Sequence, residues 1–438
     1  MLSHFSVKEY LISQYIQNHA VKQVRDFSFS EELSHAVISQ ICLAYLLQFH
    51  TSEPLDINVD VSFPLAKYAA QHWNKHAKKT KFQSSLVFAL MMKLLTEKNT
   101  AFVNWVQLCD IDDYYDCKLQ KASDEGHEAI AELLREKRAD INNADIQFYG
   151  NALQAASNAG HEAIAKLLIE KGADVNAQGG YYRNALQAAS HGGHEAIAKL
   201  LIESRADVNA QEGEYGNALQ TASYTGHEVI AKLLIDKGAY VNAQGGRYGN
   251  ALQAASGAGH EGITNLLVEK GADVNAQGGY YGNALQAASS RGHEAIAKLL
   301  IEKGADVNAQ GRYYGNALQA ASNRGHDTIA KLLIEKGADV NAQGGYYGNA
   351  LQAASGAGHE GITNLLIEKG ADVNAQGGYY GNALQAASNG GHDTIVKLLI
   401  GKGADVNAQG GEYRTAIQAA SDAGHEAIIA QLIHREAY

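Results

Sequence analysis

NALQAASNAGHEAIAKLLIEKGADVNAQGGYYR fills residues 151–183, and the chain copies this stretch with small edits to its end. The opening asparagine recurs at Asn184, Asn217, Asn250, Asn283, Asn316, Asn349 and Asn382, and Thr415 takes the next place. The step is 33 residues each time (184 minus 151). A Gly-His pair keeps the same beat from His161 to His425. So strict a period, at this length, means a solenoid.

Within one unit Asn151 is placed to cap a helix, and Leu153 and Ala156 form a short apolar stripe that stops before Gly160. Glu162 opens a second helix with Ile164, Leu167 and Leu168 on one face, and Gly172 falls where a left-handed C-terminal cap belongs. Asp174 and Asn176 suit a turn held by bonds to nearby backbone. Gly179-Gly180 then supplies the positive φ angles of a tight finger that carries Tyr181-Tyr182. A unit therefore reads helix, helix, finger. One such unit buries too little apolar surface to stand alone, so each must stack on its neighbours.

GHEAIAKLLIEKGADVNA resembles the second half of an ankyrin repeat. The first half departs from that family: where Thr-Pro-Leu-His is usual, Asn151-Ala152-Leu153-Gln154 stands, keeping the N-cap but losing the proline and the buried histidine. Tyr182 stands where the family's finger glycine is usual. The resemblance implies an all-α ankyrin-repeat solenoid of about ten units, residues 110–438, behind an N-terminal helical region, residues 1–109.

That region shows capping boxes at Ser6 to Glu9 and Ser28 to Glu31, and a proline-led helix from Phe63-Pro64 to about His76. HFSVKEYL at 4–11, CLAYLL at 42–47 and FPLAKYAAQHW at 63–73 resemble the segment that follows the NACHT nucleotide-binding domain in fungal NOD-like-receptor proteins. The resemblance implies the C-terminal part of such a receptor, with the array as its ligand-sensing or autoinhibitory end. An alternative is the regulatory fragment of a signalling NTPase whose nucleotide domain lies elsewhere.

Lys and Arg number 36 against 47 Asp and Glu, a net charge of −11. Phosphate neutralisation needs clustered cations, so nucleic acid is not an expected partner. Cys42, Cys109 and Cys117 show no CxxC spacing and read as reduced thiols of a cytoplasmic protein. No secretory signal is visible, and the apolar stretch at 86–95 is too short for a membrane helix, so no membrane association is expected.

Chemistry is sparse. No GxxxxGK[ST] or GxSxG motif occurs, and the Gly-His pairs, one per unit, read as helix capping rather than as metal ligands. His72 and His76 have an i, i+4 spacing but no adjacent glutamate. The run Asp110, Asp112, Asp113 and Asp116 lacks the glycine and closing glutamate of an EF-hand and reads as a solvated loop. No catalysis, cofactor, metal or small-molecule substrate is expected.

What remains is a surface. A position that varies between near-identical units is not required by the fold, and two places vary. The first finger position carries Tyr181, Glu214, Arg247, Tyr280, Tyr313, Tyr346 and Tyr379. The pair closing the first helix carries His191, Tyr224 with Thr225, Arg291 and Arg324 among smaller residues. Tyrosine and arginine are the side chains most enriched at interface hot spots, so these twelve are the candidate partner-binding residues on the concave face. The second finger tyrosine, at Tyr182 and its counterparts to Tyr413, never varies and reads as packing.

Two smaller expectations concern stability. Gly262 with Asn265, and Gly361 with Asn364, are poor helix formers and mark the softest units. Arg205 and Arg138, standing where the capping glycine belongs, are expected to carry strain.

Overall fold

The computed structural model describes residues 150–436, apart from Glu212 and Arg312, together with Cys42 and Asn142. The expectations for the two histidines at 72 and 76, the acidic run at 110–116, Arg138, Cys109, Cys117 and most of the N-terminal helices fall outside the described residues. The chain divides into two units, Met1–Lys118 and Leu119–Tyr438. In the first, Cys42 lies in a helix and is buried, and that burial pushes its thiol up to about 12.

In the second unit the repeat becomes pairs of antiparallel helices, Ala152–Ala159 with Glu162–Glu170, then Ala185–Gly192 with Glu195–Glu203, and so on to Ala416–Asp422 with Glu426–Glu436. Among the described residues there is no strand, only isolated antiparallel bridges such as Gly278 with Gly282 at the fingers. The first helices pack closely against one another along the stack, while the second helices touch far less.

The core follows from the repeated alanines. Ala155, Ala156 and Leu153 are buried in the first helix, as are Ile164, Ala165 and Leu168 in the second, and the small side chains let neighbouring units approach closely. Leu167, expected on the same apolar face, is only half-buried, so its counterpart Gln431 in the last unit does not replace a core leucine. Gln431 instead bonds the Asp393 carboxylate of the preceding unit.

Helix ends behave as the sequence suggests. Asn151 Oδ1 accepts from the Gln154 N–H at 2.9 Å, and Gly172 adopts φ 92 just past the second helix. Arg205 takes the same left-handed conformation at φ 69, the strained backbone its sequence position implies. Arg183 and Arg414, at φ 69 and 64, do so as well, immediately before their caps, and the sequence reading did not single them out.

The histidines are not side-chain caps. They sit at the start of second helices without a capping bond of their own, and from His194 on the ring crosses to the unit before it. His194 Nε2 lies 2.9 Å from the Asn158 carbonyl oxygen, and His260 Nε2 lies 3.0 Å from that of Tyr224. The ring fills the space beside the preceding unit's capping glycine: a Cβ on Gly160 would sit 2.4 Å from His194 Cε1. That glycine is thus required by its φ of 83 and by the close approach together. Asn176 also departs from expectation. Asp174 does hold the local turn, accepting from the Asn176 N–H at 2.9 Å, but the Asn176 side chain donates to Arg205 O and accepts from the Asp207 N–H in the next unit.

The helices at Glu261–Glu269 and Glu360–Glu368 keep their full nine residues despite Gly262 and Gly361. Gly262 leaves room for the carboxylate of Glu228, which would meet a Cβ at 2.4 Å, and Thr264 donates back to His260 O at 2.9 Å. Glycine still adds backbone entropy to the unfolded state. Amide exchange in these two second helices is expected to run faster than in Glu294–Glu302, and equal protection across all three would contradict this.

Burial lowers the pKa of His191 and, more than its Gly257 bond raises it, that of His293. Their folded pKa values lie below the ordinary 6.5, so the unfolded chain takes up protons first as pH falls. Their contribution is complete above about pH 6.5 and declines below it. The urea midpoint is therefore expected to drop between about pH 7.5 and about pH 5.5. His191→Asn should remove part of that drop; a pH-independent midpoint would contradict the assignment.

Candidate interaction face

Seven described fingers are closed by their own backbone, as where the Gly278 N–H donates to Gly282 O at 2.7 Å. Fingers are then tied to one another: the Tyr280 N–H donates to Arg247 O at 2.9 Å, Tyr346 to Tyr313 O at 2.9 Å, and Tyr379 to Tyr346 O at 2.9 Å. A side chain at one finger position must therefore stand beside its counterpart in the next unit. Two columns result.

The outer column holds seven of the candidate residues. Tyr280, Tyr313, Tyr346 and Tyr379 stack in series with ring centroids 6.2, 5.8 and 4.9 Å apart. Tyr181, Tyr280, Tyr313 and Tyr346 are exposed to between 39 and 45% although they touch aromatic neighbours. Between Tyr181 and Tyr280 the column changes character: Tyr181 Oη donates to Glu214 at 2.8 Å, and Arg247 Nη1 pairs with Glu214 at 3.3 Å.

The inner column is the unvarying second tyrosine. Tyr215, Tyr248 and Tyr281 stack at 6.2 and 6.4 Å, and Tyr314 is only 1% exposed. Tyr248, Tyr281 and Tyr314 pack with Ala254, Ala287 and Ala320 of the first helices as one buried cluster. Burial, the largest cause, pushes the hydroxyls of Tyr248, Tyr347 and Tyr380 above the ordinary tyrosine range. Burial bears out the packing role expected of this position at Tyr248, Tyr281 and Tyr314, while Tyr182, Tyr215, Tyr347, Tyr380 and Tyr413 are half-buried.

The structure brings four of the five candidates at the first-helix ends, all but Thr225, to the inner column, each differently. Tyr224 stacks on Tyr248 at 4.4 Å and is half-buried. His191 lies 4.7 Å from the Tyr182 ring. Thr225 turns its hydroxyl to Thr221 O at 2.9 Å, so its polar group serves the helix. Arg291 and Arg324 are exposed; Nε of Arg291 donates to Tyr281 Oη at 2.8 Å and Nη2 of Arg324 to Tyr314 Oη at 2.9 Å. Those bonds are the leading cause holding both guanidinium pKa values above their ordinary range.

A residue the variation argument passed over is the glutamine three positions into each first helix. Gln253 is 1% exposed; its Nε2 donates to Ala276 O at 2.8 Å and Gly282 O at 3.1 Å, and its Oε1 accepts from the Asn250 N–H. It therefore completes a capping box and pins the next finger to the first helix, which sets where the tyrosines stand. The signal was available as Asn-x-x-Gln, the capping-box spacing, repeated without exception from Asn151-Gln154 to Asn382-Gln385. In the last unit Gln418 is exposed and donates to Asp422 on its own helix.

Stacked helix pairs with projecting fingers define a helical-repeat scaffold whose inner face is built of tyrosines and arginines. The family model for ankyrin repeats (3 copies) matches six overlapping windows, residues 119–212, 152–245, 186–278, 243–311, 285–377 and 351–438. The chain belongs to the ankyrin-repeat family, whose arrays are protein–protein interaction modules. Among curated proteins it is similar to azaphilone pigments biosynthesis cluster protein L of Monascus ruber, 35% identical over 112 residues, which are 25% of this chain. The match spans 23% of that relative's length. Among solved structures it is similar to the human ASB11 ankyrin repeat domain at 24% identity and TM-score 0.44, covering 50% of this chain and 98% of that one. Among the described residues no helix is long and apolar enough to cross a membrane.

Proposed function

We propose that this chain is a non-catalytic interaction module that binds a protein partner through the two tyrosine columns and the adjoining first-helix ends. The observation that carries it is the outer column, a stack of four tyrosines of which Tyr280, Tyr313 and Tyr346 are left substantially exposed, on a fold that does not need them, since Glu214 and Arg247 fill the same position elsewhere. Tyrosine offers large contact area with few rotatable bonds, so ordering it on binding costs little. The rings are also held by their neighbours before any partner arrives.

The N-terminal resemblance to the segment after the NACHT domain supports placing the module in a fungal NOD-like receptor of the cytoplasm, as its ligand-sensing or autoinhibitory end. The same resemblance supports the alternative, a regulatory fragment working with a nucleotide-binding domain on other sequence. A P-loop encoded upstream in the transcript would decide for that alternative.

The test is affinity capture with mass spectrometry from the source cell, using the full chain and a reset version. The reset version carries Glu214→Tyr, Tyr224→Asn, Arg247→Tyr, Arg291→Ala and Arg324→Ala, the residues common at those positions in other units. A partner held by the first and lost by the second supports the reading. Identical capture by both would refute it.

A further inference from the structure

Three arginines that interrupt the repeat pattern meet in space. Arg247 leaves the outer column, while Arg291 and Arg324 close successive first helices, yet all three line one open depression of ≈ 360 Å³ floored by Tyr248, Tyr281 and Tyr314. The guanidiniums of the three lie 6.0, 5.8 and 5.9 Å from the centroids of those same rings. Arg247 shares Glu214, but among the described residues neither Arg291 nor Arg324 has a carboxylate within ion-pair distance. In a protein of net charge −11, two cations oriented by buried hydroxyls and left without counter-charge are an anion-binding arrangement.

The spacing narrows the anion. Tyr248 and Tyr281, the rings beside Arg247 and Arg291, stack 6.4 Å apart, and Arg324 holds to Tyr314 one unit further on. An extended peptide advances about 3.3 Å per residue with alternate side chains on one face, so same-face groups recur about every 6.6 Å. We infer that this depression recognises an extended acidic segment of the protein partner, with carboxylates at alternate positions reaching successive arginines. The inference rests on the finger-face reading above and names the chemistry of what that face takes.

The probes are fluorescein-labelled Ser-Glu-Ser-Glu-Ser-Glu, a peptide of the same composition with its glutamates contiguous, one with glutamine in place of glutamate, and one with a single phosphoserine among serines. Anisotropy is measured with the intact chain, with Arg291→Gln/Arg324→Gln, and with Lys298→Gln/Lys331→Gln, which removes equal charge from exposed positions on the second helices. Thermal melts confirm that both variants stay folded. The alternating peptide is expected to bind tightest, and the arginine pair is expected to lose about tenfold or more in affinity while the lysine pair changes little. Equal binding of the contiguous peptide, tighter binding of the phosphoserine peptide, equal loss in the two variants, or no binding at all would each overturn the inference. If the peptides fail while the reset array still loses its captured partner, the acidic segment is excluded and the finger face stands.

Discussion

Tyr314→Ala is expected to destabilise the array by about 3 to 5 kcal/mol, and Tyr313→Ala, one residue earlier, by less than about 1 kcal/mol. The two side chains point to opposite fates. Tyr314 is 1% exposed, packs among Ala320 and the neighbouring tyrosines, and accepts the Arg324 bonds, so truncation leaves a cavity that stacked first helices cannot close. Tyr313 is 40% exposed and leans on Tyr280 and Tyr346 from outside. Urea unfolding of both variants provides the check. Equal losses would mean the columns are one structural element, and the outer tyrosines would lose their standing as a surface held for a partner.

The second large effect is expected from Gln253→Leu, a change of nearly constant volume. It removes the Asn250 N–H bond and both finger bonds, stranding the Asn250 N–H and the Ala276 carbonyl, while Gly282 O keeps its bond from the Gly278 N–H. At about 1 to 3 kcal/mol for each buried group stranded without a partner, a loss on the order of 3 kcal/mol follows. The loss should be local as well: amides of the finger at 276–282 are expected to lose protection before those of the second helices. A wild-type urea midpoint would show that water replaces the amide and that the finger is held by its glycines alone.

How much of this was legible in the sequence depends on where each partner lies. The period, the asparagine cap and Gly172 are local signals, readable from a few neighbouring residues, and the helices stand where those signals put them. Variation between units likewise located the outer column, because a copied sequence reveals which positions the fold ignores. Gln154, His194 and Asn176 misled or escaped because their partners sit 23 to 36 residues away and come close only when units stack. Being invariant, they marked themselves as structural without showing in which direction they reach. Arg183 and Arg414 escaped for another reason, since a single arginine gives no sign that its backbone is left-handed until the glycine at the same place in other units is compared.

The most direct measurement of the central claim is a hydrogen-exchange footprint of the intact chain with its captured partner. The account expects new protection at the fingers and first-helix ends between residues 245 and 325, with the second helices unchanged. Protection confined to the second helices, with the tyrosine columns exchanging as in the free protein, would contradict it.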